Sequence, residues 1–139
     1  MLKHIPKVLS PDVVKALMEM GHGDELVLAD ANFPGHTLGA PVLRADGLGV
    51  PALLDAVCTL MPLDHYAPSQ YRLMATVGDD PTPPIWSEYH QIVQSHDADA
   101  VHEQVERFDF YDQARSAALV IVTGETALYG NIILKKGVV

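Results

Sequence analysis

Apolar residues along the chain change between two spacings, one typical of helices and one typical of buried strands. The first spacing predicts a helix from Ser10 to Met20, which opens with a Ser-Pro-Asp helix-start signal. Its apolar positions are Val14, Leu17 and Met18. We expect Gly21 to end this helix in a left-handed conformation. The uninterrupted apolar run Leu26–Ala29 then predicts a buried strand.

The same alternation continues to the end of the chain. Further helices are predicted over residues 51–61, 85–95 and 110–117. Further strands are predicted over residues 42–45, 71–77, 101–108, 118–122 and 131–134. Residues 32–36 are expected to be a loop, because Pro34 and Gly35 interrupt them. This order of elements predicts a layered α/β fold with a largely parallel sheet, in a single domain over residues 1–139.

Composition places the chain among ordinary globular proteins, since 48% of its 139 residues are hydrophobic and 19% are charged. The formal net charge is -9, so neither nucleic acid nor an anionic membrane surface is an expected partner. The longest strongly apolar run, Ala117–Val122, is too short to span a bilayer. Cys58 is the only cysteine and Met1–Leu9 lacks a signal-peptide pattern, so we expect a cytoplasmic protein.

His22 and Asp30 flank the predicted buried strand and are the first candidates for chemistry. Histidine exchanges protons near neutral pH, and the glycines on both sides of His22 leave it open to a ligand. Its alternative role is to cap the preceding helix. Asp30 lies at the carboxyl end of the strand, where open α/β sheets usually bind ligands. Its alternative role is that of a loop aspartate that bonds neighbouring amides.

Arg107 and Trp86 are candidates for contact with a sugar. The Arg107 guanidinium can donate to several hydroxyl oxygens, although an ion pair with Glu106 or Asp109 is the simpler interpretation. Trp86 can stack on a sugar ring, or it can anchor its helix in the core. The chain has no glycine-rich phosphate-binding motif, so we expect no nucleotide cofactor.

A divalent-metal site is a separate hypothesis. It would combine His22 and Asp30 with His36, which is predicted to lie in the loop that follows Asp30. The seven histidines form no HExxH motif and no Cys/His cluster, however. We therefore expect no metal.

Several short motifs, in their order and spacing, resemble the family of D-ribose pyranases and L-fucose mutarotases over nearly the whole chain. The motifs are Met20–Glu25, Asp30, Asn32–Pro34, Arg44–Leu48, Arg107–Phe108, Phe110–Tyr111, Thr123–Glu125, Tyr129–Asn131 and Leu134–Val138. Arg107, Asn32–Pro34 and Arg44–Gly47 favour the fucose branch of the family. The resemblance implies a three-layer α/β/α fold without a cofactor. It also implies a ring-like homo-oligomer with its sites at subunit contacts.

The same resemblance implies a reaction. The protein would interconvert the α and β anomers of L-fucose, or of a closely related aldose, by acid/base opening and closing of the sugar ring. His22 matches the proton donor of the family. The positions that match its sugar-binding residues are Asp30, Arg107, Tyr129, Gly130 and Asn131. A non-catalytic monosaccharide-binding protein and a pyranase that acts on ribose are the alternative functions.

The spacing between His22 and Asp30 constrains such a site. The two residues are eight positions apart, which is up to about 28 Å in an extended chain. If the strand between them is straight, one protomer cannot bring both side chains to one small sugar. We therefore expect a site shared between subunits, with the apolar strand Ile132–Leu134 as a candidate for the contact.

Overall fold

The computed structural model describes residues 1–139, in which five helices and six strands alternate along most of the chain. The helices are α1 (Pro11–Glu19), α2 (Gly35–Leu38), α3 (Val50–Leu60), α4 (Ile85–His96) and α5 (Arg107–Arg115). The strands are β1 (Glu25–Ala29), β2 (Val42–Ala45), β3 (Tyr71–Met74), β4 (His102–Val105), β5 (Leu119–Thr123) and β6 (Ile132–Lys135). None of the helices has the length and apolarity needed to cross a membrane.

The six strands form one sheet in the order β2-β5-β1-β6-β3-β4. Only β6 runs antiparallel to its neighbours, β1 and β3, so the expectation of a largely parallel sheet is confirmed. The expectation that Ile132–Leu134 forms a subunit contact is wrong. These residues lie inside the sheet and are at most 1% exposed, because β6 is paired on both sides.

Helices cover both faces of the sheet. Helices α1, α3 and α4 pack on the face that carries Leu26 and Leu28 of β1. Helices α2 and α5 cover the other face, which carries Val27 and Ala29. Successive strand residues point to opposite faces, so an apolar run such as β1 contributes to both apolar clusters. The three-layer α/β/α arrangement is confirmed.

Helix α1 begins as the sequence predicts but ends differently. The Ser10 side chain caps it by accepting a hydrogen bond from the Val13 amide at 3.3 Å. The expected left-handed Gly21 is wrong, since the helix ends in extended backbone and Gly23 is the residue with a positive φ, of 85°. The Gly23 amide donates to the Lys136 carbonyl at 2.8 Å, which turns the chain into β1 beside the end of β6.

Residues 32–36, predicted as a loop, contain the start of helix α2. This helix begins at Gly35, which is buried against the sheet. A Cβ atom at Gly35 would lie 2.7 Å from a methyl carbon of Val122. Glycine therefore lets the helix approach the strand closely here, instead of breaking the structure.

The strand predicted over residues 101–108 ends early because Glu106 caps helix α5. The Glu106 side chain accepts hydrogen bonds from the amides of Phe108 and Asp109, at 2.8 and 3.3 Å. Arg107 is therefore the first residue of a helix and not part of a strand. Arg107 still lies just after the carboxyl end of β4.

Gly124→Ala is expected to destabilise the fold. A Cβ atom at Gly124 would lie 2.1 Å from the Asp46 carbonyl oxygen, a backbone atom that cannot move alone. We expect the free energy of unfolding to fall by about 1–3 kcal/mol, measured by urea denaturation at fixed protein concentration. The control is Gly47→Ala, which meets no atom within 4 Å and should change it by less than about 0.5 kcal/mol. Equal effects would contradict the steric argument.

Candidate functional site

Asp30 and Asn131 meet at the edge where the parallel strands end. Asp30 follows β1, and Asn131 precedes the antiparallel β6, which begins at that same edge. The Asp30 amide donates to Asn131 Oδ1 at 2.8 Å, and Asn131 Nδ2 donates to Asp30 Oδ2 at 3.0 Å. Two of the predicted sugar-binding residues therefore lie side by side, although they are 101 positions apart in the chain.

The Asp30 carboxyl group combines burial with hydrogen bonds. Burial raises its pKa, while hydrogen bonds, led by those from the Asn32 amide and the Asn131 side chain, oppose that rise. The bond from the Asn32 amide, at 3.0 Å, is the contact that a loop aspartate would make. The two hydrogen bonds with Asn131 join distant parts of the chain and are not contacts that a loop aspartate makes with its neighbours. A carboxyl group in this environment can hold a hydroxyl group or accept a proton.

Two residues of helix α4 fix the backbone of Tyr129 and Gly130. Trp86 Nε1 donates to the Tyr129 carbonyl at 2.9 Å, and the Tyr89 hydroxyl donates to the Gly130 carbonyl at 2.8 Å. Tyr129 has a φ of 55°, a left-handed conformation that residues other than glycine seldom adopt. Trp86 is 4% exposed, so its ring anchors α4 in the core and is not available for stacking on a sugar.

The Tyr129 hydroxyl reaches the loop between β3 and α4. It donates to Asp80 Oδ2 and accepts a hydrogen bond from the Val77 amide at 3.2 Å. The hydrogen bond to Asp80 raises the Tyr129 pKa. Sequence reasoning missed Asp80, because 49 positions separate it from Tyr129 and no motif connects them.

Arg107 lies at the carboxyl end of β4 and therefore on the same edge of the sheet as Asp30. Its Nε donates to the Tyr111 hydroxyl at 3.4 Å. The guanidinium carbon lies 5.5 Å from the centre of the Phe108 ring and 5.6 Å from that of Tyr111. The expected ion pair with a neighbouring acidic residue is wrong, since Arg107 forms no salt bridge. Its other donors are available to a ligand.

His22 lies at the opposite edge of the sheet. It precedes β1, whose ends are about 13 Å apart at 3.3 Å per residue, while Asp30 follows β1. Its Nε2 is 3.0 Å from Asp64 Oδ1, and its ring centre is 5.4 Å from that of Tyr66. The hydrogen bond goes to Asp64 and not to α1, so the helix-capping interpretation is wrong. One chain does not bring His22 and Asp30 to one small ligand.

The same separation removes the geometric basis of the metal hypothesis. His22 is on the other edge from Asp30, and His36 is exposed on helix α2. No group of three or more His, Cys, Asp or Glu side chains in the chain is arranged to hold a metal ion.

The fold, and the polar side chains such as Asp30 and Arg107 at one edge of the sheet, place the chain in a class of proteins. This class consists of three-layer α/β proteins that present hydrogen-bonding side chains at the carboxyl ends of their parallel strands. The chain belongs to the RbsD / FucU transport protein family, whose model matches residues 3–139. This confirms the family membership that the motifs suggested.

Relatives with established names match nearly the whole chain. The fucose mutarotase of Homo sapiens is 48% identical over 144 residues, which cover 99% of this chain and 94% of that protein. The L-fucose mutarotase of Actinobacillus pleuropneumoniae serotype 5b is 46% identical, with coverages of 99% and 97%. The crystal structure of the Streptococcus pneumoniae fucose mutarotase in complex with L-fucose has a TM-score of 0.96 and 50% identity, over 99% of both chains.

Asn131→Ala is expected to raise the Asp30 pKa further and to destabilise the protein by about 1–3 kcal/mol. The variant removes a donor to the buried carboxylate and the acceptor of the Asp30 amide. A raised pKa means that the folded chain holds this proton more tightly than the unfolded chain. Stability therefore falls as the pH rises from the unfolded to the folded pKa, and the variant should extend that fall to higher pH.

Carbon-13 NMR titration of the Asp30 carboxyl group and urea denaturation measure these two effects. The matched control is Asn32→Ala, which removes an exposed side chain and keeps the backbone hydrogen bond to Asp30. It should leave both quantities near their wild-type values. The same pKa shift in both variants would show that Asn131 has no special role in holding the carboxylate.

Proposed function

We propose that the protein is a mutarotase, an isomerase that interconverts the α and β anomers of L-fucose or of a closely related aldose. The observation that carries the proposal is the match to a fucose mutarotase solved with L-fucose, at 50% identity over 99% of the chain. The proposal includes a cytoplasmic location, which the single cysteine supports. The reaction opens the sugar ring to the aldehyde and recloses it on the other face.

The sugar would bind at the carboxyl edge of the sheet. The proposed binding residues are Asp30, Arg107, Tyr129, Gly130 and Asn131. Together they offer a carboxyl group, a guanidinium, a phenol, an amide and backbone groups, which can pair with the donors and acceptors of sugar hydroxyls. Asp30 is the member best suited to accept the anomeric proton, because its burial favours the protonated form.

Ring opening also needs a proton on the ring oxygen, and we assign its delivery to His22. The side chain is 45% exposed, so it can reach a ligand outside its own protomer. A histidine has a reference pKa near neutrality, which lets it return to its starting state in each cycle. Closure of the ring reverses both proton transfers.

The opposite positions of His22 and Asp30 lead us to propose a homo-oligomer. Each site would combine the Asp30 edge of one protomer with His22 of another, in a ring-like assembly. A cavity of about 740 Å³ in the single chain lies elsewhere, between the N-terminal segment and α1, and none of the proposed sugar-binding residues lines it. We therefore propose that the residues around Asp30 enclose a sugar only together with the surface of a second protomer.

The reaction is tested by NMR exchange between the anomers of L-fucose, with D-ribose in parallel and chelator present. We expect faster exchange of L-fucose than in buffer, and a loss of at least about 100-fold in His22→Ala. The matched control is His96→Ala, which removes another histidine paired with an aspartate and should keep the wild-type rate. Buffer-level exchange of L-fucose by the folded wild type would refute the proposal, and full activity of His22→Ala would remove His22 from the mechanism.

A shared site predicts that two inactive variants complement each other. His22→Ala and Asp30→Asn should each lose activity, because each damages every site in its own oligomer. When equal amounts are co-expressed, randomly mixed oligomers should regain about a quarter of the wild-type rate, since that fraction of contacts joins an intact His22 to an intact Asp30. Mixed oligomers that are verified by native mass spectrometry and remain inactive would contradict the sharing of the site.

A further inference from the structure

One short turn in the loop between β3 and α4 presents two groups to the Tyr129 hydroxyl. The turn closes through the Asp80 amide, which donates to the Val77 carbonyl at 3.2 Å, and Gly78 within it has a φ of 58°. The Val77 amide donates to the Tyr129 hydroxyl oxygen at 3.2 Å, and that hydroxyl donates to Asp80 Oδ2. One phenol oxygen thus receives both a donor and an acceptor from the same turn.

The rest of the loop limits the movement of this turn. Three prolines lie between the turn and α4 and restrict the backbone there, and one of them, Pro83, is buried. Trp86, in the first turn of α4, donates to the Tyr129 carbonyl at 2.9 Å. Residues 77–86 therefore hold Tyr129 at its carbonyl and at its hydroxyl. They do so beside Asp30, because β3 runs in the same direction as β1 and ends at the same edge of the sheet.

These contacts leave the Tyr129 hydroxyl with one way to meet a ligand. A phenol carries a single hydrogen, and Asp80 takes it. The hydrogen bond to Asp80 also raises the Tyr129 pKa, so the phenol stays protonated at neutral pH. The Val77 amide uses part of the acceptor capacity of the oxygen. What remains can accept a hydrogen bond from a ligand but cannot donate one.

We propose that Asp80 is a positioning residue that determines specificity: it holds the hydrogen of the Tyr129 hydroxyl and so makes this phenol an acceptor for one hydroxyl group of the sugar. The inference rests on the proposed function, because it concerns a residue that we assign to sugar binding. The hydroxyl concerned is not the anomeric one, whose proton we assign to Asp30. The sugar must therefore donate a hydrogen at one ring hydroxyl, and an analogue that can only accept there is rejected.

The other charged groups near Tyr129 do not hold its hydroxyl. The Arg107 charge acts on Tyr129 in the opposite sense, by lowering its pKa, but Arg107 Nε donates to Tyr111. Asp79, which precedes Asp80 in the turn, is exposed and does not contact the hydroxyl. Asp79 therefore serves as a matched control, with the same charge in the same turn.

The first test measures L-fucose exchange by Asp80→Ala in the full-length protein. We expect KM to rise by about 3- to 10-fold with kcat little changed, because the phenol is no longer held as an acceptor. Asp80→Asn keeps an oxygen acceptor and should recover part of this loss, while Asp79→Ala should keep the wild-type KM. In a Tyr129→Phe background, Asp80→Ala should add nothing. A full additional rise in KM there would mean that Asp80 contacts the sugar directly, which would overturn the inference.

Deoxyfluoro analogues of L-fucose test the direction of the hydrogen bond, because fluorine bound to carbon accepts weakly and cannot donate. Fluorine replaces the hydroxyl on carbon 2, 3 or 4 in turn, and each analogue competes with L-fucose exchange. One analogue should bind the wild type at least about 10-fold more weakly than L-fucose. In Asp80→Ala the phenol hydrogen can meet the fluorine, so this ratio should fall by about 3-fold or more. Unchanged ratios for all three analogues would overturn the inference, since a loosened turn weakens every sugar by one factor.

Carbon-13 NMR titration of labelled Tyr129 tests the contact without any activity. We expect the Tyr129 pKa to fall in Asp80→Ala and to stay at its wild-type value in Asp79→Ala. An unchanged pKa in Asp80→Ala would show that Asp80 does not hold the hydroxyl. The outcomes also separate the two proposals. An active wild type whose KM is unaffected by Asp80→Ala refutes the role of Asp80 alone, whereas a wild type inert toward L-fucose refutes the proposed function and that role with it.

Discussion

Strand β1 is buried from Leu26 to Ala29, and this constraint determines where the candidate functional residues at its two ends can lie. It pairs with β5 on one side and β6 on the other, and Leu26–Ala29 are 0% exposed. A strand fixed by two ladders and two apolar clusters cannot bend to bring its ends together. His22 and Asp30 are therefore held at opposite edges of the sheet. The separation is a property of the core and not of flexible loops.

The antiparallel strand β6 organises both edges at once. It enters the sheet beside Asp30, so Asn131 precedes it where the parallel strands end. It leaves beside His22, where the Lys135 carbonyl accepts from the Asp64 amide and the Lys136 carbonyl accepts from the Gly23 amide. This one strand therefore places the Asn131 amide beside Asp30 at one edge and holds the buried Asp64 beside His22 at the other. A parallel strand in its place would enter the sheet at the His22 edge and leave it at the Asp30 edge.

The sequence predicted what depends on local spacing. The buried strands, the layered α/β class and the candidates at both ends of β1 follow from apolar runs and from the rule that ligands bind at carboxyl ends of strands. Contacts between distant segments were not predictable. The bond from His22 to Asp64 spans 42 positions and that from Tyr129 to Asp80 spans 49, and neither leaves a periodic signal. Glu106 was misjudged because its local capping of helix α5 was not recognised, and Gly35 because its close approach to Val122 is a tertiary contact.

The proposed division of each site between the His22 edge and the Asp30 edge restricts the ways in which copies of the chain could associate. In a two-fold contact, the His22 edge of each copy meets the Asp30 edge of the other, and two sites close within one dimer. In a head-to-tail contact, each protomer uses its edges on two different neighbours, and the chain of contacts must close into a ring to leave no half-site unpaired. The ring-like assembly implied by the family resemblance corresponds to the second arrangement. In that arrangement the number of complete sites equals the number of subunits only when the ring is closed, so the proposed sharing of the site would couple activity to assembly through the geometry of β1.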